Sequence, residues 1–146
     1  MRYLAIDLGG KRTGIASGDD LTGIVQPLKV IEAAPGDHLV RLLQREIEDH
    51  APDAIVIGLP LNMDGTEGPS AVAVRAFAAR IGETCRVAVR FQDERLTSFA
   101  AERHLDRSGR THREKREIRD ALAAAEILRD HLRERAGAGE AETSGE

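Results

Sequence analysis

Three carboxylates in this chain stand where an acid is costly. Asp7 is the only charged residue of YLAIDLG, and a charge at the end of an apolar strand needs a partner or a metal to offset its desolvation. Asp93 and Glu94 follow directly on RVAVRFQ, whose alternation of apolar and polar residues reads as a strand. Glu94 is in phase with Ala88, Arg90 and Gln92, while Asp93 points the other way. Phase alone leaves open which of the two does chemistry. Asp120 lies in IRDALAAAEILRDHL, a helical pattern with an apolar stripe at Ile118, Leu122, Ala125, Leu128 and Leu132 and a solvated arc at Arg119, Glu126, Arg129, Asp130 and Arg133. It belongs to neither. At about 100° per residue it shares a face with Ala123, Ala124 and Ile127, a face small enough to let another element come close. Asp120 is therefore either a first-turn acid stabilised by the helix dipole or a ligand leaning over a sheet. Three such acids with no His or Cys cluster beside them make a hard-oxygen site suited to Mg²⁺ or Mn²⁺.

Basic residues accompany the acids. Lys11 and Arg12, in DLGGKRTG, would lie near any phosphate brought to a metal at Asp7; a hairpin turn with solvated bases explains them equally well. The glycines of that stretch fit neither GxxxxGK[ST] nor GxGxxG. Between residues 103 and 119 the chain carries seven Lys or Arg, Arg110, Arg113 and Arg116 among them, against three acids. The net charge of -4 hides this patch, because Glu134 to Glu146 alone supply four acids against one arginine. The five histidines show no metal-ligand spacing and read mostly as surface residues. The single Cys85 excludes an internal disulfide and reads as a buried or half-buried small residue.

The elements that must position these groups alternate along the chain. RYLAIDL and TGIASG form a hairpin, and GIVQPLKVI is a third strand pushed to an edge by Pro27. Leu39, Leu42, Leu43 and Ile47 mark a helix closed by Pro52, and DAIVIGLP is a strand covered on both faces. NMDGTEGPS is a loop, SAVAVRAFAARIG a helix ending at Gly82, and RVAVRF the fifth strand. TSFAAERHL reads as a short helix, DRSGRTHREKRE as a polar, turn-rich segment, and IRDALAAAEILRDHLRER as a long last helix. Residues 1–135 thus make one domain with a mixed sheet and helices on its faces. Residues 136–146 read as a disordered acidic tail. No apolar stretch nears the roughly 18 residues of a membrane span, so the expected setting is cytoplasmic.

AIDLGGKRTGIA, VIGLPLNMDGTEGPSA, FQDERLTSFAAERHL and RDALAAAEIL, in that order, resemble the sequence blocks of the YqgF (RuvX) family, pre-16S rRNA nucleases also described as Holliday-junction-resolvase-like. The resemblance runs to about residue 133. It implies an α/β ribonuclease H-like fold with a mixed five-stranded sheet flanked by helices, and a metal-dependent nuclease acting in 5′-end maturation of pre-16S rRNA. By position it makes Asp7, Glu94 and Asp120 the catalytic, metal-holding acids, which chooses Glu94 over Asp93. It matches Lys11 and Arg12 to the family's basic pair, and puts Asn62 and Arg95 at positions facing the site. With Arg110, Arg113 and Arg116 these bases would hold a phosphate backbone, contacts that carry no sequence information. Pre-16S rRNA is the implied partner, with ribosomal particles behind it, for a monomer or a homodimer. Three other readings stand beside this one. A Holliday-junction resolvase on branched DNA shares fold and acids; a non-catalytic RNA-binding domain would keep the acids as structural groups. IDLGG also resembles the phosphate turn of sugar-kinase-like ATPases, which need a second domain that 146 residues leave no room for.

Overall fold

The computed structural model describes the backbone of residues 1–94 and 112–144, with side chains described to residue 94 and from 118 to 137. The sheet has five strands: β1 (Arg2–Leu8), β2 (Thr13–Asp19), β3 (Val25–Ile31), β4 (Ala54–Leu59) and β5 (Ala88–Asp93), in the order β3-β2-β1-β4-β5. The first three are antiparallel neighbours, and β4 runs parallel to both β1 and β5. The mixed five-stranded sheet expected from the sequence is therefore present. Pro27 does lie on the edge strand: it opposes Ala16, where the β2–β3 register slips between Ile15 and Ala16, a bulge that absorbs the missing donor.

Helices α1 (Asp37–His50) and α2 (Pro69–Cys85) cover one face of the sheet, and α3 (His112–Ser144) covers the other. Leu4, Ile6, Ile15, Ile55 and Ile57 point toward α1 and α2 among Leu39, Leu43, Ala78 and Ile81. Tyr3, Ala5, Ala16, Ala54 and Val56 point toward Ala124, Ile127 and Leu128 of α3. Branched aliphatics thus fill the first interface, and small residues line most of the second. That difference lets α3 lie close on the sheet: a Cβ at Gly14 would collide with the main chain of Asp120.

The last helix departs from its sequence reading at both ends. It begins at His112, so the REKRE segment read as turn-rich is helical, and it runs to Ser144 through most of the segment read as a tail. Arg, Glu and Lys fill the first stretch, and Ala and Glu make up more than half of the second, all good helix formers. Its buried face also sits round from the expected stripe: Ala121, Ala123, Ala124, Ala125, Ile127, Leu128 and His131 are buried, while Leu122 and Leu132 are only half-buried. Asp120 is thereby on the sheet side. His131, unlike the surface setting read for most of the histidines, is buried against Tyr3 and donates from Nδ1 to Gln92 Oε1 at 3.1 Å. Cys85 is half-buried, as expected. The short helix read at TSFAAERHL lies outside the described residues.

Candidate active site

Asp7 reaches the carboxyl end of β1 on the face that carries Tyr3 and Ala5, the α3 side. Glu94 comes one residue after β5, and its side chain continues the phase of Gln92, which is buried against α3. Gly58 of β4 lies between them. A Cβ there would strike Glu94 Oε2 and Ile127 Cδ1, so this glycine gives the Glu94 carboxylate its place under the helix. The Glu94 amide donates to Leu59 O at 3.4 Å, extending the β4–β5 ladder just past the strand end. The result is a direct hydrogen bond between the Asp7 and Glu94 carboxyl groups.

Two carboxyl groups in contact cannot both be charged at low cost. Burial pushes Asp7 up to about 6, opposed by the hydrogen bond from Glu94 and reinforced by the charge of Asp120. Burial likewise pushes Glu94 up to about 8, with the Asp7 charge, their shared bond and the Asp93 charge acting in the same direction. Phase and register together put Glu94 in the pair.

Asp120 arrives from α3 and is close enough for its charge to act on Asp7. Its Oδ2 accepts from Arg12 Nε at 2.8 Å. Arg12, read as a phosphate ligand, here ties the β1–β2 turn to the helix; Lys11 beside it is exposed. Among the described residues, no group of three His, Cys, Asp or Glu side chains closes into a metal cage. The donor set is two carboxyl groups in contact with a third acid nearby. Such an open all-oxygen arrangement fits Mg²⁺ or Mn²⁺, hard cations bound through one or two carboxylates with water completing the shell. A cation there would relieve the repulsion between these acids.

Asn62 stands in the loop between β4 and α2, where its Nδ2 donates to Thr66 Oγ1 at 2.9 Å. Arg95 and Arg110 lie outside the described residues, and Arg113 and Arg116 lie on α3 with only their backbone described. Sequence reasoning missed Gly14 and Gly58. Their signal was present: with Ala5, Ala16 and Ala54 they put small residues at most α3-facing positions of β1, β2 and β4.

A sheet ordered β3-β2-β1-β4-β5, with acids gathered at the carboxyl ends of its parallel strands and a third on the covering helix, defines the ribonuclease H-like class of fold. The Thermus thermophilus RuvC structure in complex with a Holliday junction substrate has this fold, with a TM-score of 0.57 at 15% identity over 94% of this chain and 96% of that one. The Fowlpox virus resolvase in complex with Holliday junction DNA shares it too, with a TM-score of 0.59 at 10% identity, over 92% and 98% of the two chains. The RuvX family model, described as Holliday junction resolvase, matches residues 1–134, and this chain belongs to that family. A Geobacillus kaustophilus relative named as a pre-16S rRNA nuclease is 40% identical over 134 residues, 90% of this chain and 97% of its own. A relative from Anaeromyxobacter sp. strain Fw109-5 with the same name is 41% identical over 132 residues, 90% of this chain and 96% of its own.

Proposed function

We propose that this protein is a divalent-metal-dependent nuclease that hydrolyses phosphodiester bonds in maturing the 5′ end of pre-16S rRNA, with Asp7, Glu94 and Asp120 as its catalytic acids. The observation that carries the chemistry is the hydrogen-bonded Asp7–Glu94 pair at the sheet edge, which a hard cation would bind by displacing a proton. The name shared by relatives at about 40% identity over nine-tenths of the chain supports the choice of substrate.

Asp7 and Glu94 would hold Mg²⁺ or Mn²⁺, with Asp120 beside them, and such an ion activates water and stabilises charge on the phosphoryl group. The protein supplies the rest. Gly58 and Ile127 fix where the Glu94 carboxylate sits, and Arg12 fixes Asp120 so that α3 presents it to the strand acids. Lys11, exposed on the same turn, meets the phosphate chain. Arg95, Arg110, Arg113 and Arg116 extend that contact along the backbone, adding affinity without reading sequence.

Purified protein with Mn²⁺, offered a pre-16S fragment, a four-way DNA junction and duplex DNA side by side, provides the test. Cleavage of the RNA near the mature 5′ end is expected. Preferential symmetric cleavage of the junction would move the assignment to a resolvase, and no cleavage of any substrate would leave a non-catalytic nucleic-acid-binding domain.

A further inference from the structure

The arginine that closes the first hairpin occupies an oxygen of the third acid. Its main chain is pinned in the turn: the Gly9 amide donates to Arg12 O at 2.9 Å, and a Cβ at Gly9 would strike that carbonyl. Two residues on, Gly14 opposes Asp7 across the β1–β2 ladder and lies directly against the main chain of Asp120. The main chains of Arg12 and Asp120 are therefore both held in place beside the strand acid. Between them, Arg12 Nε donates to Asp120 Oδ2 at 2.8 Å. Such a bridge opens by side-chain rotation alone.

The bridge is built to be exchanged. It is open to water, with the Arg12 and Asp120 side chains 35% and 23% exposed, and ion pairs in such settings hold weakly. It is also one-pointed: among the described residues the guanidinium meets Asp120 through Nε, whereas a phosphate engages an arginine through two parallel bonds. And it stands in the way of a cation. The Asp120 charge reaches Asp7, so a divalent ion shared by the acids would face the guanidinium across one of its own ligand groups, and like charges that close repel. Arg12 and the cation therefore compete for Asp120. A phosphate resolves the competition by offering Arg12 a better-fitting anion.

We propose that Arg12 is an exchangeable counter-ion of the site: it neutralises Asp120 in the resting protein and passes to a backbone phosphate when RNA enters, releasing Asp120 to the cation. The inference rests on the metal-dependent nuclease reading above and adds to it an order of assembly. Nucleic acid and cation then bind cooperatively, each raising the affinity for the other by the same factor. Without RNA the third acid stays masked and the cation site incomplete.

The test reads binding, as a double-mutant cycle on wild type, Arg12→Gln, Asp120→Asn and the double variant. Mn²⁺ affinity is measured without nucleic acid from the electron paramagnetic resonance of the free ion, and affinity for a short single-stranded RNA is measured in chelator by fluorescence anisotropy. Arg12→Gln should tighten Mn²⁺ about three- to tenfold and have no such effect in the Asp120→Asn background. Asp120→Asn should tighten RNA by a similar factor and have no such effect in the Arg12→Gln background. Melts in chelator check that all four proteins are folded at the assay temperature, with Arg12→Met replacing Arg12→Gln if that variant is not. Simple charge removal gives gains that persist without the partner, and that result overturns the exchange, as does the absence of a gain in either single variant. Cleavage with Mn²⁺ is scored on wild type. If it cleaves while the gains persist without the partner, the exchange is wrong and the nuclease reading survives. If nothing is cleaved yet each gain vanishes with its partner, the exchange stands and the nuclease reading fails.

Discussion

The interaction between Asp7 and Glu94 tells the two acids at the end of β5 apart. Asp93 and Glu94 are adjacent, equally charged and both at a strand end, and sequence phase places them on opposite faces without saying which face holds the chemistry. The structure adds the partner: Asp7 bonds to Glu94. Glu94→Gln keeps the shape and the hydrogen-bonding capacity of the side chain but lacks a second charge for a cation. It should lower cleavage more than about a hundredfold, beyond the loss typical of removing an outer-shell partner, while RNA affinity stays near wild type because the bases supply most of it. Asp93→Asn should stay active. Single-turnover cleavage and a filter-binding isotherm on both variants check this, and the reverse pattern would mean that the site lies on the other face of β5.

The elements show what a sequence makes legible and what it hides. All five strands and the first two helices follow from periodicity and punctuation, since Pro27, Pro52 and the apolar run of β4 each act within a few residues of where they stand. The last helix is harder. Its largest apolar residues mark one stripe, yet Ala121, Ala123, Ala124 and Ala125 are buried, because the sheet beneath is built small enough to receive alanine. Which residues count as core depends on the opposing surface, and that surface is distant in sequence. A consequence is testable at Gly14. A methyl group there must displace the helix main chain at Asp120, so Gly14→Ala should destabilise by about 1–3 kcal/mol, as overpacking does, and cut activity in the fraction that folds. Gly10→Ala, with open space around it, should change stability by less than about 0.5 kcal/mol. Urea unfolding of the two variants separates a close approach from a general dislike of substitution near the first turn.

At the scale of the whole molecule, the crowded acids make folding without metal depend on pH. Asp7 and Glu94 rise from ordinary values of 3.8 and 4.5 to about 6 and about 8, so the folded chain binds protons more tightly than the unfolded one. Their contribution is fully present below about pH 4 and is lost as pH climbs to about 8. In chelator, then, the melting temperature of wild type should fall between pH 5 and pH 8 by more than that of Asp7→Asn, which lacks one acid and relieves the other. Millimolar Mn²⁺ at pH 8 should restore wild type and help the variant much less, by mass action on the folded state. If both proteins melt in parallel across this range and ignore Mn²⁺, the pair is a structural contact and the metal mechanism falls.

The placement of Asp120 on the final helix also sets a timetable. The chain emerges N-terminus first during synthesis, and β1, β4 and β5 with both strand acids precede α3 entirely. A nascent chain stopped before residue 112 therefore has Asp7 and Glu94 but no third acid, and Tyr3, Ala5, Ala16 and Val56 have no helix to bury them. Such a fragment would leave exposed the apolar surface that the finished protein covers. The last segment to be translated both roofs the sheet and brings the third acid to it, so an unfinished copy of this protein has neither its roof nor Asp120.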